Sequence, residues 1–126
     1  NDNKILHIDF KNFNSENEIF FKDEINYALG NIIQNAIIYS KSKVNIVLDS
    51  SEKKIIIKII DNGNGFSKDV LDKLGEPYLS KNNQGMGLGI FISKNLIENM
   101  KGNINFYNSQ EKHATVEIKF EKTILV

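Results

Sequence analysis

Lys54-Ile-Ile-Ile-Lys-Ile-Ile60 runs directly into Asp61-Asn-Gly63-Asn-Gly65, with Phe66 and Ser67 behind it. The isoleucine-rich part suits a pleated, half-buried surface, so a strand is predicted over 54–60. The glycine-bearing part has two readings. Asn-Gly is the strongest short hairpin signal, and a plain turn would account for it. Yet no returning strand follows; Ser67 instead reads as the cap of a short helix ending at Leu74. A carboxylate at a strand end can accept a hydrogen bond from an exocyclic amine. Glycines two residues apart allow φ > 0 and let the backbone approach a flat ring.

Working toward the N-terminus, Lys43–Leu48 is a second strand, joined through an Asp49-Ser-Ser51 turn. Before it, Asp23 reads as the N-cap of a long helix reaching about Tyr39. Ile25, Leu29, Ile32, Ala36 and Ile37 recur there at helical spacing and are expected to face the core. Asn31 and Asn35 lie four residues apart on one side of this helix, expected roughly opposite the Leu29/Ile32/Ala36 stripe. An amide oxygen is a hard, neutral ligand suited to Mg²⁺ that already carries phosphate; ordinary solvent-facing asparagines in an asparagine-rich chain are the plainer reading. Leu6, Ile8 and Phe10 alternate with His7 and Asp9 as a strand, and Glu18-Ile-Phe-Phe21 reads as another.

Toward the C-terminus, 75–87 is polar, glycine-bearing and aperiodic, and is expected to be a mobile loop. Gly89–Met100 is predicted as an amphipathic helix with Gly102 as its C-cap glycine. Ile104–Tyr107 and Ala114–Phe120 close the sheet. The order ββαββααββ implies an α/β fold: a two-layer α/β sandwich, with about three helices on one face of a mixed, mostly antiparallel sheet. Gly85-Met-Gly87-Leu-Gly89 would expose backbone N–H groups at a helix start, a cradle for phosphate. It lacks the Gly-x-x-x-x-Gly-Lys-Ser/Thr of a P-loop and the preceding strand of a dinucleotide fold.

The composition sets limits. A chain of 126 residues suits one domain, 1–126. Its 16 basic and 16 acidic residues cancel, so no net field favours nucleic acid or an anionic membrane. There is no cysteine, hence no disulfide, thiolate metal site or thiol nucleophile. Every basic residue is lysine, so an arginine finger would have to come from elsewhere. The apolar runs are too short to span a bilayer. The start at Asn1 suggests a fragment of a longer protein. His7 is expected to face solvent, and His113 sits in a hairpin turn beside Lys112; neither has the company of a catalytic histidine.

The paired asparagines, the strand-end Asp-x-Gly-x-Gly and the glycine-rich helix entry, in that order, resemble the N, G1 and G2 boxes of the GHKL (Bergerat-fold) ATP-binding family. Sensor histidine kinases, Hsp90, type II topoisomerases and MutL share it, and the resemblance spans Glu18 to Phe120. Leu74-Gly-Glu-Pro-Tyr78 resembles the F-box variant of histidine kinases, and Ser80-Lys81 fits the following lid. Gly85–Lys94 with Leu96-Ile-Glu98 is similar to the RegB/PrrB group of redox-responding kinases.

The resemblance implies ATP and Mg²⁺ as ligands. By it, Asp61 binds the adenine amino group; an ionised carboxylate would reject guanine, whose carbonyl sets two acceptors face to face. Thr115 would support Asp61 through water, Gly63 and Gly65 flank the base, and Tyr39 packs on the nucleotide. Asn35 ligates the metal. Gly85, Gly87, Leu88 and Gly89 hold the phosphates, and Lys81 reaches the γ-phosphate from a lid at about 75–87. Asn31 stands where hydrolytic members carry a glutamate base. An amide takes no proton at neutral pH, so hydrolysis lacks its base, whereas phosphoryl transfer needs chiefly alignment and charge neutralisation. The chain departs from the family at Ile38, where a basic residue is common, at Gly75, and at Ala114, where glycine is usual.

The implied function is the catalytic ATP-binding domain of a two-component sensor histidine kinase. It would pass the γ-phosphate to a histidine on a separate dimerisation domain, as a homodimer when full length, and serve a response regulator. Alternatives are an anti-sigma-type serine kinase and a non-catalytic nucleotide-binding module. No nucleic acid or direct membrane contact is expected. The location is cytoplasmic, with inner-membrane anchoring of the parent left open. Alone, the chain should not phosphorylate itself, since neither His7 nor His113 has the phosphoacceptor context.

Overall fold

A computed structural model describes residues 3–12, 22–74 and 86–122. In chain order the elements are β1 (Ile5–Lys11), α1 (Asp23–Tyr39), β2 (Lys43–Ser50), β3 (Lys54–Asp61), α2 (Lys68–Lys73), α3 (Met86–Asn99), β4 (Asn103–Asn108) and β5 (Ala114–Glu121). The five strands form one sheet in the order β1-β2-β3-β5-β4. β1 runs parallel to β2, and the other neighbours are antiparallel. The helices cover one face, which is the two-layer sandwich expected. The expected strand at 18–21 and the loop at 75–85 lie outside the described residues.

The core follows from two periodicities. On β3, Ile55, Ile57 and Ile59 are buried at every second position, and α1 answers with Ile25, Ala28, Ile32 and Ala36. Each buried isoleucine contributes about 1.5–3 kcal/mol. Ser93 on α3 meets α1 closely enough for its hydroxyl to donate to the Ala28 carbonyl at 3.2 Å. Continuing the β3 alternation by one step puts Asp61 on the same inward face. A strand that buries isoleucines for packing thus delivers a carboxylate into the interior.

Several boundaries differ from expectation. Lys22, not Asp23, is the N-cap of α1, with no side-chain capping bond; Asp23 sits in the first turn, where its charge complements the helix dipole. Ser67 does cap α2, accepting from the Val70 N–H. α3 begins at Met86 rather than Gly89. Gly87 and Gly89 are therefore helical rather than ahead of the helix, because glycine's cost there, about 1 kcal/mol each, is small beside the burial of Ile90 and Ile97.

At the other end of α3 the Gly102 N–H donates to the Ile97 carbonyl at 2.8 Å and the Lys101 N–H to that of Glu98 at 2.9 Å. This pairing places the left-handed residue at Lys101 (φ 63°), not at Gly102. Gly102 is required for space instead: a Cβ there would lie 2.4 Å from Phe120 Cε1.

Candidate functional site

Three edges meet at one cavity of about 260 Å³: the last turns of α1, the end of β3 with the turn behind it, and the start of β5. Ile32, Ile59, Val70, Leu74, Ile90, Phe106 and Val116 make its wall mostly apolar, while Asn35, Asp61, Asn64 and Ser67 are the polar exceptions. Phe66 and Phe106 meet edge-to-face, with ring centroids 6.4 Å apart.

Asp61 is 6% exposed. One carboxylate oxygen, Oδ1, accepts the Gly63 N–H at 2.8 Å. Burial pushes its pKa above the ordinary carboxylate value, against the opposing pull of the Gly63 N–H and of His113 and Lys4. Lys4 is fixed nearby, its ammonium donating to the Ile37 carbonyl at 2.6 Å and to that of Ile38 at 3.3 Å at the end of α1.

Both glycines of the turn are needed for close approach. A Cβ at Gly63 would sit 2.1 Å from the Tyr39 carbonyl oxygen, and one at Gly65 would sit 2.5 Å from that of Lys112. Gly65 is also left-handed, at φ 80°.

Asn35 lines this cavity with Tyr39. It does not lie opposite the apolar stripe as expected; three residues from Ile32 on a helix, it is that residue's neighbour on the same side. Its amide nitrogen is buried with no hydrogen-bond partner among the described residues. Asn31, one turn earlier and half-buried, is not among the lining residues. From α3, Ile90 lines the cavity, one residue beyond Gly89. Around Gly89 there is open space: a Cβ there would meet nothing within 4 Å. Lys81 and Gly85 lie outside the described residues.

Thr115 is placed elsewhere than its expected role requires. Ala114 and Val116 line the cavity, and strand alternation turns Thr115 to the other face of the sheet. Its hydroxyl donates to the His113 carbonyl at 3.1 Å, not toward Asp61. His7 is exposed as expected, its ring 2.9 Å from Asp9.

The sequence reading missed two residues. Asn62 Oδ1 accepts the N–H groups of Lys41, Ser42 and Lys43 at 2.9, 3.0 and 3.0 Å. Asn108 accepts the Phe66 N–H at 2.8 Å and donates to the Phe66 carbonyl at 2.9 Å. Together they hold the glycine turn on both flanks.

Among the described residues, no helix is long and apolar enough to cross a membrane, and no group of three or more histidine, aspartate and glutamate side chains could hold a metal.

Residues 22–124 match the family of histidine kinase-, DNA gyrase B- and HSP90-like ATPases. Similar curated proteins include sporulation kinase B of Bacillus subtilis, 35% identical over 76% of this chain and 23% of its own length. The sensor histidine kinase RegB of Cereibacter sphaeroides is 30% identical over 74% of this chain and 22% of its own. An NtrY-like putative sensor histidine kinase of Rickettsia prowazekii is 29% identical over 78% of this chain and 17% of its own. The chain thus spans about a quarter or less of these relatives. The catalytic domain of histidine kinase ThkA superposes with a TM-score of 0.78 at 22% identity, covering 95% of this chain and 80% of that one. Acinetobacter baumannii AdeS superposes at 0.73 with 25% identity, covering 95% of this chain and 55% of that one. With the family match running from the start of α1 through the last strand, the chain belongs to the histidine kinase-, DNA gyrase B- and HSP90-like ATPases.

Proposed function

We propose that this chain is the ATP-binding catalytic domain of a sensor histidine kinase, acting on the cytoplasmic side on a histidine outside the chain. The observation that carries the reading is Asp61: a buried carboxylate with one oxygen held by Gly63 and the other left to an apolar cavity of purine size. In such surroundings an acceptor is costly unless a donor meets it, and the adenine amino group is that donor. Guanine would oppose a carbonyl to it. Tyr39, Ala114 and the backbone of Gly65 supply flat or small walls beside the base.

The Asn35 amide fits a metal-bound triphosphate, since it borders the cavity and its nitrogen is buried with no partner among the described residues. The O and N of an amide are exchangeable by a flip, so the oxygen can take that place. Mg²⁺, when bound, would neutralise phosphate charge; with no acidic cluster among the described residues, its remaining ligands would be phosphate oxygens and water. Gly87, Leu88 and Gly89 start α3, where backbone N–H groups favour anions. Lys81 and Gly85 would complete the phosphate contacts from the lid.

The Asn31 amide takes up no proton at neutral pH, so no general base at that position activates water. The terminal phosphoryl group is left to a nucleophile brought from outside. Its bond to ADP breaks as a bond to the incoming histidine nitrogen forms. The partners follow: a dimerisation domain bearing that histidine, paired as a homodimer, and a response regulator downstream. The test is to incubate the chain with γ-labelled ATP, Mg²⁺ and a histidine-bearing dimerisation domain of a related kinase. Acid-labile, alkali-stable label on that domain is the expected result. Saturable binding with no transfer would overturn the kinase reading and leave a nucleotide-binding module.

A further inference from the structure

We propose that Asn62 and Asn108 are positioning residues for base selection: two side-chain amides grip the Asp61–Phe66 turn from opposite flanks and thereby fix where the Asp61 carboxylate faces the cavity. The inference rests on reading that cavity as a purine site.

The two grips are built differently. Asn62 gathers three consecutive N–H groups on its oxygen, as given above, while its nitrogen donates to Ser42 Oγ at 2.8 Å. Its own backbone N–H donates to the Lys43 carbonyl at 3.1 Å. Those partners follow directly on α1, so Asn62 ties the turn to the helix end that supplies Tyr39. Asn108 pairs with both backbone groups of Phe66, as a neighbouring strand would, and anchors the far side of the turn to the end of β4. Between the grips stand Gly63 and Gly65, the two residues with the most backbone freedom to lose. Asp61 Oδ1 is itself held by the Gly63 N–H, which belongs to that same turn.

Purines that differ at C6 present either an amine or a carbonyl there. A fixed carboxylate welcomes the first and opposes the second, whereas one that can swing aside opposes it less. Loosening either grip should therefore erode selectivity, and not merely affinity or stability.

The test uses the whole 126-residue chain and titrates ATP and ITP calorimetrically with Mg²⁺, alongside thermal unfolding without nucleotide. Asn62→Ala and Asn108→Ala should each cut the ATP-over-ITP preference about tenfold or more. Asn62→Asp keeps an oxygen for the three N–H groups and should restore the preference to within about threefold. Asn108→Asp sets a carboxylate against the Phe66 carbonyl and should not restore it. If the alanine variants fail to fold, the opposite behaviour of the two aspartate variants is the expected result. Equal behaviour of those two, or an undiminished preference in folded alanine variants while Asp61→Asn abolishes it, would overturn the positioning role and leave the purine reading standing. A wild-type chain with no preference for ATP would overturn the purine reading and this inference with it.

Discussion

Asp61→Asn should move nucleotide affinity and the stability of the free protein in opposite directions. The substitution keeps the shape of the side chain, and the new amide oxygen can still accept the Gly63 N–H now made at 2.8 Å. What changes is the atom facing the cavity, from a charged acceptor to an NH₂ donor that opposes the purine's own amino group. Losing a hydrogen bond to a charged group costs about 1.5–3 kcal/mol, and a buried unpaired donor costs about 1–3 kcal/mol more. Even the lower ends imply ATP binding weaker by about 60-fold, at 1.4 kcal/mol per decade. In the free protein the sign reverses. Burial raises the Asp61 pKa above its ordinary value of 3.8, so the folded state holds this proton more readily than the unfolded chain. Its contribution to stability therefore falls as pH rises from that value through the folded pKa. The variant escapes this loss. Its melting temperature at pH 7 should equal or exceed that of the wild type, with the difference closing toward pH 4. Calorimetric titration of ATP and melting at both pH values provide the check. Near-normal ATP affinity, or a melting temperature at pH 7 clearly below wild type, would refute the reasoning.

Four further substitutions probe other parts of the structure. Asn35→Ala should weaken Mg²⁺–ATP about tenfold or more while changing metal-free ATP binding little, as titrations with and without chelator would show. Gly102→Ala drives a methyl to within 2.8 Å of Ile97 Cγ2 as well as against Phe120 and should cost about 1–3 kcal/mol in urea unfolding; Lys101→Gly, relieving a left-handed lysine, should gain about 1 kcal/mol. Tyr107→Phe removes the hydroxyl that donates to Glu117 at 2.6 Å and should cost about 1–2 kcal/mol. Burial, and then Glu117, push the Tyr107 pKa up to about 12. Wild-type stability should therefore fall above pH 10, where the unfolded tyrosine ionises first, and the phenylalanine variant should lack that loss. The same hydroxyl is the main influence holding Glu117 below its ordinary 4.5. The stabilisation from Glu117, present above that value and lost as pH falls through the folded pKa, should shrink in the variant.

How much was legible depended on whether the signal was periodic. Ile55, Ile57 and Ile59 on β3, and Ile25, Ile32 and Ala36 on α1, repeat at the spacings of a strand and a helix, so those elements and the architecture they imply could be read directly. Asp61 was legible because it ends such a repeat. The start of α3 was not, because Gly87 and Gly89 are poor helix formers held by the packing of residues beyond them. Thr115 alternates with Ala114 and Val116, which line the cavity, and so faces away from it. Strand parity alone could have shown this. Asn62 and Asn108 left no trace, since an asparagine in an asparagine-rich chain is unremarkable and their partners lie 19–21 and 42 residues away. Only folding shows that both close on one turn.

The central claim is that Asp61 and Asn35 address the two ends of one nucleotide. A crystal structure of the chain with Mg²⁺ and a non-hydrolysable ATP analogue tests it most directly. The adenine amino group should lie within hydrogen-bonding distance of the Asp61 oxygen that Gly63 does not hold, with the Asn35 amide oxygen on the metal. A nucleotide bound away from this cavity, or seated in it with its base turned from Asp61, would contradict the account.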